Sequence, residues 1–202
     1  MKLYHCQGAR SLRCVWALEE MGLDYEIETL PFPPRVFAKH YKEVNPLGTV
    51  PALIDGDVML TESSGICHYL AEKYGPTSLA VKPDEPDYGA YLNWMYRSDA
   101  TLTFPLTIVF RYSALEPEDR RLPQAAADYR KWFLGRWSSA EEWLEGREYL
   151  CADRFTMADI CVGFAIDFAL AIGVSEALTP NVDRWRRSIT DRPAYQRSSS
   201  LK

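Results

Sequence analysis

The sequence has little of what marks secreted, metal-binding or nucleic-acid-binding proteins. Its five cysteines are an odd number without paired spacing, which favours free thiols in a reducing compartment over a disulfide framework. The net charge is −5 without a basic cluster, so neither nucleic acid nor an anionic membrane is an expected partner. His5 and His68 lack a third ligand at metal spacing, and we predict no metal site.

Long apolar runs are also missing. The most apolar stretch, Met157 to Gly173, contains Asp159 and Asp167 and falls short of the roughly 18 to 20 residues that span a bilayer. It therefore predicts a buried helix. Met1 to Tyr4 runs directly into structured sequence, so a signal peptide is not expected. Together these absences predict a soluble cytoplasmic protein.

The most informative stretch is NPLGTVPALIDGDVMLTES, residues 45–63. An X-Pro bond becomes cis at a cost of only about 0.5 to 1 kcal/mol, and a cis Val50-Pro51 bond would turn the Val50 amide and carbonyl outward, where they can pair with a bound peptide. Two short apolar runs around Asp55-Gly56-Asp57 predict a hairpin. A helix follows, because Ile66, Tyr69 and Leu70 have helical spacing.

The start of that helix is a second candidate binding element. Ser63 can cap the first free amides, or it can offer its hydroxyl and N–H to an anion at the positive end of the helix dipole. A peptide-pairing backbone and an anion-binding helix start thus lie one hairpin apart. At these positions, Val50, Pro51, Glu62 and Ser63, the sequence resembles the glutathione transferases. The resemblance implies that Val50 pairs with the cysteinyl unit of glutathione, and that Glu62 and Ser63 hold its γ-glutamyl end.

The first 75 residues predict a thioredoxin-like α/β domain. A strand at residues 2–5, a helix at about 11–21 and a strand at 24–30 form a βαβ unit, and the hairpin and its helix complete a ββα unit. Residues 76–86, rich in proline and charge, predict a linker. Residues 87–202 predict an all-α bundle, with a long helix over 87–111 bent near Pro105, helices over 124–144 and 157–172, and a last short helix from about Asn181.

Thr156-Met157-Ala158-Asp159 has the spacing of a capping box, with Asp in place of the usual Glu or Gln. We predict that it starts the buried helix. The segment FTMADI also resembles the capping element in the helical domain of glutathione transferases.

Activation of glutathione requires a group that stabilises its thiolate, since a free thiol has a pKa near 8.5. A helix dipole contributes roughly 0.3 to 1 kcal/mol, usually less than one pKa unit, whereas a donated hydroxyl adds about 1.5 to 3 kcal/mol. Ser11 is the only hydroxyl side chain between Cys6 and Leu12, so it is the predicted catalytic residue. The run GARSL is similar to the bacterial beta class, which has Cys where this chain has Arg10. A charge effect of Arg10 and a redox role of Cys6 therefore stay open.

The function that the resemblance implies is conjugation of glutathione, as co-substrate, to a small apolar electrophile. Tyr91, Trp94, Tyr96 and Phe104 could shape the electrophile pocket. Two alternatives remain: a glutathione-dependent disulfide reductase or dehalogenase, and a non-catalytic glutathione-binding module. The resemblance also implies a homodimer.

Overall fold

A four-stranded mixed sheet forms the centre of the N-terminal part of the chain in a computed structural model that describes residues 1–201. The strand order is β2-β1-β3-β4, in which β1 pairs with β2 in parallel and the other pairs are antiparallel. The predicted βαβ and ββα units are therefore confirmed. The strands are β1 (Lys2–His5), β2 (Glu26–Thr29), β3 (Ala52–Asp55) and β4 (Val58–Leu60).

Three helices accompany this sheet: α1 (Leu12–Met21), α2 (Pro34–Phe37) and α3 (Ser63–Lys73). Gly22 ends α1 in the left-handed conformation, with φ of 62°, which glycine adopts without a Cβ penalty. Apolar side chains of α1 and α3 are fully buried along with residues of β1 and β3, including Leu3, Val15, Leu18, Leu53, Ile66 and Leu70.

The rest of the described chain is helical: α4 (Tyr88–Arg97), α5 (Phe104–Phe110), α6 (Pro123–Trp143), α7 (Met157–Ala171), α8 (Pro180–Thr190) and α9 (Pro193–Ser199). Helix α7 is buried along almost its whole length, as its apolar sequence predicted. None of the helices within residues 1–201 combines the length and the hydropathy that crossing a membrane requires.

The long helix predicted over residues 87–111 is divided. A π-helical segment, Ser98–Thr103, separates α4 from α5, and the Phe104 N–H donates to the carbonyl of Asp99, five residues earlier. Pro105 has no N–H to donate to the carbonyl of Thr101, so the regular ladder cannot continue through this point. The break therefore precedes Pro105.

Contacts divide the chain into two compact units, and the last helix belongs to the first of them. The N-terminal unit comprises Met1–Ala80 and the segment that begins at Thr190, and the helical unit comprises Val81–Ile189. In the N-terminal unit the Tyr195 ring of α9 contacts Trp16 of α1 at a centroid distance of 4.8 Å, and Arg192 donates two hydrogen bonds to Glu20. The sequence predicted only one helix after α7, whereas α8 and α9 both follow it. The predicted bounds of the domains and linker stay a prediction.

The Asp159 carboxylate accepts four hydrogen bonds inside the helical unit. It is fully buried, and it accepts hydrogen bonds from the Thr156 N–H (2.8 Å) and hydroxyl (3.0 Å), the Leu150 N–H (3.0 Å) and the Trp185 indole (2.9 Å). Burial raises the pKa of Asp159, and the donated hydrogen bonds oppose that change. The predicted capping box at Thr156 and Asp159 is present.

We predict that Asp159→Ala lowers the free energy of unfolding by about 3 to 4 kcal/mol, because it leaves several buried donors without an acceptor. Urea denaturation measures this change. Glu148→Gln, which removes an exposed carboxylate from the same unit, is the control and should change stability by less than about 0.5 kcal/mol. Equal effects of the two substitutions would contradict this role of Asp159.

Candidate functional site

The loop that precedes β3 is fixed by two side chains, Tyr41 and Asn45. The buried Asn45 accepts the Leu47 N–H on Oδ1 (3.1 Å), and its Nδ2 donates to the Thr49 carbonyl (2.8 Å). The Tyr41 hydroxyl donates to the same carbonyl at 2.8 Å. Asn side chains commonly close turns in this way. The backbone immediately before Val50 is therefore held from two directions.

Gly48 shows how tightly this loop lies against its neighbours. Its φ is +61°, and a Cβ at this position would lie 2.8 Å from the Cβ of Arg35. Both the left-handed conformation and the lack of space require glycine here. A side chain at position 48 would therefore strain the Asn45–Thr49 turn.

Val50 leads into β3 with its backbone unpaired. Within residues 1–201 neither its N–H nor its carbonyl forms a hydrogen bond, although its side chain packs against the core around Tyr4 and Tyr41. The Val50-Pro51 bond is cis, as the sequence predicted, and Pro51 is buried. One donor and one acceptor on an anchored segment can pair with an extended peptide.

Glu62 and Ser63 start α3. The Glu62 backbone is extended and its carbonyl accepts the Ile66 N–H at 2.8 Å. Its carboxylate is exposed, and within the described residues it has no hydrogen-bond or ion-pair partner. Ser63 is only 2% exposed, and its Oγ accepts a hydrogen bond from Arg13 Nη1 at 2.9 Å. This end of α3 thus combines an available carboxylate with a buried hydroxyl.

The β3–β4 hairpin brings these two segments together. Leu53 pairs with Leu60 and Asp55 with Val58, so the segments that carry Val50 and Glu62 both leave the hairpin at its open end. At the other end, the Asp55 carboxylate accepts hydrogen bonds from Tyr74, Lys73 and Tyr69. Those bonds, chiefly from Tyr74 and then Lys73, lower the pKa of Asp55 to about 2, and they attach the hairpin to the end of α3.

Ser11, the predicted catalytic residue, directs its hydroxyl into the protein. It is fully buried, its Oγ forms a hydrogen bond with His5 Nδ1 at 2.8 Å, and it accepts the Cys6 N–H at 3.2 Å. Burial lowers the pKa of His5. The hydroxyl therefore joins the end of β1 to the start of α1. Arg10, one residue earlier, is partly exposed.

The cysteines are poor candidates for redox chemistry. All five are buried, and burial raises the pKa of the Cys6 thiol to about 11 and that of Cys151 to about 12. Reactive thiols combine exposure with a lowered pKa. Neither property is found in Cys6.

Sequence reasoning missed Asn45, Tyr41, His5 and Arg13, which hold the predicted site residues in place. Arg13 had a recognisable signal, because it lies three and four residues before the buried Trp16 and Ala17 on the apolar side of α1. Asn45 precedes a proline, a pairing typical of turns. The sequence carried no comparable signal for Tyr41 or His5.

We predict that Asn45→Asp lowers the free energy of unfolding by about 1 to 3 kcal/mol, because a carboxylate cannot donate to the Thr49 carbonyl and repels it. Urea denaturation measures the loss. Glu43→Gln, at an exposed position just before this loop, should leave stability nearly unchanged. A stable Asn45→Asp variant would show that Tyr41 alone suffices to hold the loop.

Comparison with known proteins finds the same family along this chain. The family model for the glutathione S-transferase N-terminal domain matches residues 9–73, and the model for the C-terminal domain matches residues 134–193. Glutathione S-transferase 1 from Zea mays is 30% identical over 100% of this chain and 96% of its own length.

Two solved structures from Phanerochaete chrysosporium have the same fold and were determined with glutathione derivatives. The glutathione transferase URE2P6 in complex with oxidised glutathione is 28% identical, with a TM-score of 0.84 over 98% of this chain and 93% of that one. Ure2p5 cocrystallised with 1-(S-glutathionyl)-2,4-dinitrobenzene is 25% identical, with a TM-score of 0.83 over 98% and 91%. With both domain models matched and a relative aligned along the whole sequence, the chain belongs to the glutathione S-transferase family.

Proposed function

We propose that this protein binds glutathione in its N-terminal unit and conjugates the glutathione thiolate to a small apolar electrophile. The observation that carries the proposal is the unpaired backbone of Val50, in the segment that enters the β3–β4 hairpin, whose second strand leads into α3. The Val50 N–H and carbonyl pair with the cysteinyl unit. The Glu62 carboxylate receives the α-ammonium group, and Ser63 receives the α-carboxylate.

This arrangement fits glutathione because the tripeptide is extended and carries opposite charges on its γ-glutamyl end. Backbone pairing recognises the main chain of the ligand, and a carboxylate at the start of a helix is stabilised by the helix dipole. Holding the thiol beside an electrophile makes the reaction effectively intramolecular, which can contribute several kcal/mol to the rate. The conjugate in the Ure2p5 structure supports conjugation as the reaction type.

The buried cysteines weigh against a disulfide reductase, since Cys6 and Cys151 have raised pKa values. Turnover of an electrophile distinguishes a transferase from a non-catalytic glutathione-binding module.

Family resemblance also supports a homodimer in the cytoplasm.

We predict that Glu62→Gln weakens glutathione binding about 10- to 100-fold, because it removes the charge that pairs with the α-ammonium group. Isothermal titration calorimetry measures the dissociation constant, and 1-chloro-2,4-dinitrobenzene serves as electrophile in a parallel rate assay. Glu72→Gln, also on the exposed side of α3, is the matched control and should bind like the parent. Unaltered binding by Glu62→Gln would remove Glu62 from the site, and binding without turnover would favour the non-catalytic module.

The thiolate-stabilising group is tested by comparing Ser11→Ala with Arg10→Gln. Ser11 is the hydroxyl that the sequence predicts as the donor to sulfur, but this hydroxyl forms its hydrogen bonds inside the loop, so we propose that the partly exposed Arg10 supplies the stabilising charge. If the Arg10 charge acts on sulfur, its removal should raise the pKa of the bound thiol by about one unit, and the rate should then fall at neutral pH. Ultraviolet absorbance of the thiolate gives this pKa. A larger rise of the thiol pKa in Ser11→Ala than in Arg10→Gln would assign thiolate stabilisation to Ser11.

A further inference from the structure

We infer that Asp55 is a positioning residue that fixes the spacing between the two proposed binding segments and thereby selects the length of the γ-glutamyl end of the ligand. Asp55 is the last residue of β3 and lies at the turn of the hairpin, away from the open end where the segments of Val50 and Glu62 leave it. This inference rests on the proposed function. It adds a residue outside the proposed contacts with glutathione.

Three donors from the end of α3 converge on one oxygen of the Asp55 carboxylate. Asp55 Oδ2 accepts hydrogen bonds from the Tyr74 hydroxyl at 2.6 Å and from the Tyr69 hydroxyl at 2.9 Å. Lys73 Nζ donates to the same oxygen at 3.0 Å and to the Tyr69 hydroxyl at 2.7 Å. The Asp55 side chain is only 13% exposed. These bonds join the end of β3 to the end of α3, and we call this group the Asp55 cluster.

The hairpin and α3 together form a closed frame, residues 52–74. At the site end, β4 (Val58–Leu60) leads through only two residues into α3, which begins at Ser63. Helix α3 contains 11 residues and is therefore about 16 Å long. At its far end the Asp55 cluster joins it to β3. A helix joined at one end can pivot about that end, whereas a helix joined at both ends holds a fixed angle to the hairpin.

The contacts between α1 and α3 leave this role to the Asp55 cluster. The Cys14 thiol donates to the Ser63 carbonyl at 3.8 Å, and the Cys67 thiol donates to the Arg13 carbonyl at 3.6 Å, so both bonds involve the first five residues of α3. Apolar side chains farther along α3 are buried, but hydrophobic contact is non-directional. Hydrogen bonds to a single oxygen specify both a distance and a direction.

Glutathione bridges the same two segments at the other end of the frame. Under the proposed function, its cysteinyl unit pairs with Val50 and its charged γ-glutamyl end lies at Glu62 and Ser63. Two methylene groups separate the α-carbon of that end from its amide carbonyl, and they set the distance that the ligand can span. One more methylene group moves the charged end by about 1 Å, and a misplacement of this size can cost on the order of 100-fold.

The test compares two ligands, glutathione and δ-(α-aminoadipyl)-cysteinyl-glycine, which has one methylene group more in the end that carries the charges. Isothermal titration calorimetry measures both dissociation constants. The parent protein should bind glutathione about 10- to 100-fold more tightly than the longer analogue. Asp55→Ala should reduce this preference to about threefold or less, chiefly through weaker binding of glutathione, because an open frame accepts either length.

Asp57→Ala is the matched control, since it removes the same charge from an exposed position in the same turn. It should keep the preference of the parent. Asp55→Asn retains an acceptor and Tyr74→Phe removes one of the three donors, so both should keep more of the preference than Asp55→Ala does and less than the parent. Circular dichroism and thermal unfolding check that each variant is folded. If Asp55→Ala is not, Asp55→Asn and Tyr74→Phe decide.

Three results would overturn the inference. They are a parent protein that binds the longer analogue as tightly as glutathione, an Asp55→Ala variant that keeps the preference or weakens both ligands equally, and an Asp57→Ala variant that loses the preference to the same extent. Where Asp55→Ala is not folded, an unchanged preference in Asp55→Asn and Tyr74→Phe has the same meaning. A parent protein that binds neither ligand would instead overturn the proposed function itself.

Discussion

The register of the β3–β4 hairpin is the constraint on which the candidate site depends. Because Leu53 pairs with Leu60, the segment before β3 and the segment after β4 meet at one end of the hairpin. A shift by one residue would turn the side chains of β4 to the other face of the sheet. It would also separate Val50 from Glu62 and Ser63. The Asp55 cluster with Tyr69, Lys73 and Tyr74 secures the opposite end.

Much of the fold could be predicted from the sequence, because local signals agreed with the tertiary structure. Gly22 ends α1, Thr156 and Asp159 start α7, and the Asp55-Gly56-Asp57 turn joins β3 to β4. Each of these signals acts within a few residues. The site segments were also visible, since Val50-Pro51 and Glu62-Ser63 lie close together in the sequence.

The remainder depended on contacts between residues far apart in the chain, which no local pattern specifies. The bond from Arg13 to Ser63 spans 50 residues, and the contacts between α9 and α1 span still more. The inward direction of the Ser11 hydroxyl depends on a partner only six residues away, His5 at the end of β1, but no sequence pattern marks that bond. A sequence reading of Ser11 as an exposed donor could not anticipate that partner.

In the proposed function, recognition and activation of glutathione use different parts of the N-terminal unit. Recognition uses groups that the fold fixes firmly: a backbone anchored by Tyr41 and Asn45, and a hydroxyl oriented by Arg13. Activation depends on the loop between β1 and α1, whose only hydroxyl is buried. Under this proposal, a change in the group that stabilises sulfur would leave the proposed glutathione-binding frame intact.

A crystal structure of the protein with glutathione tests the central claim most directly. The account predicts that the cysteinyl unit forms hydrogen bonds with both the N–H and the carbonyl of Val50, with the γ-glutamyl carboxylate in contact with Ser63. Glutathione seated elsewhere, or in the same cleft without either bond to Val50, would contradict it.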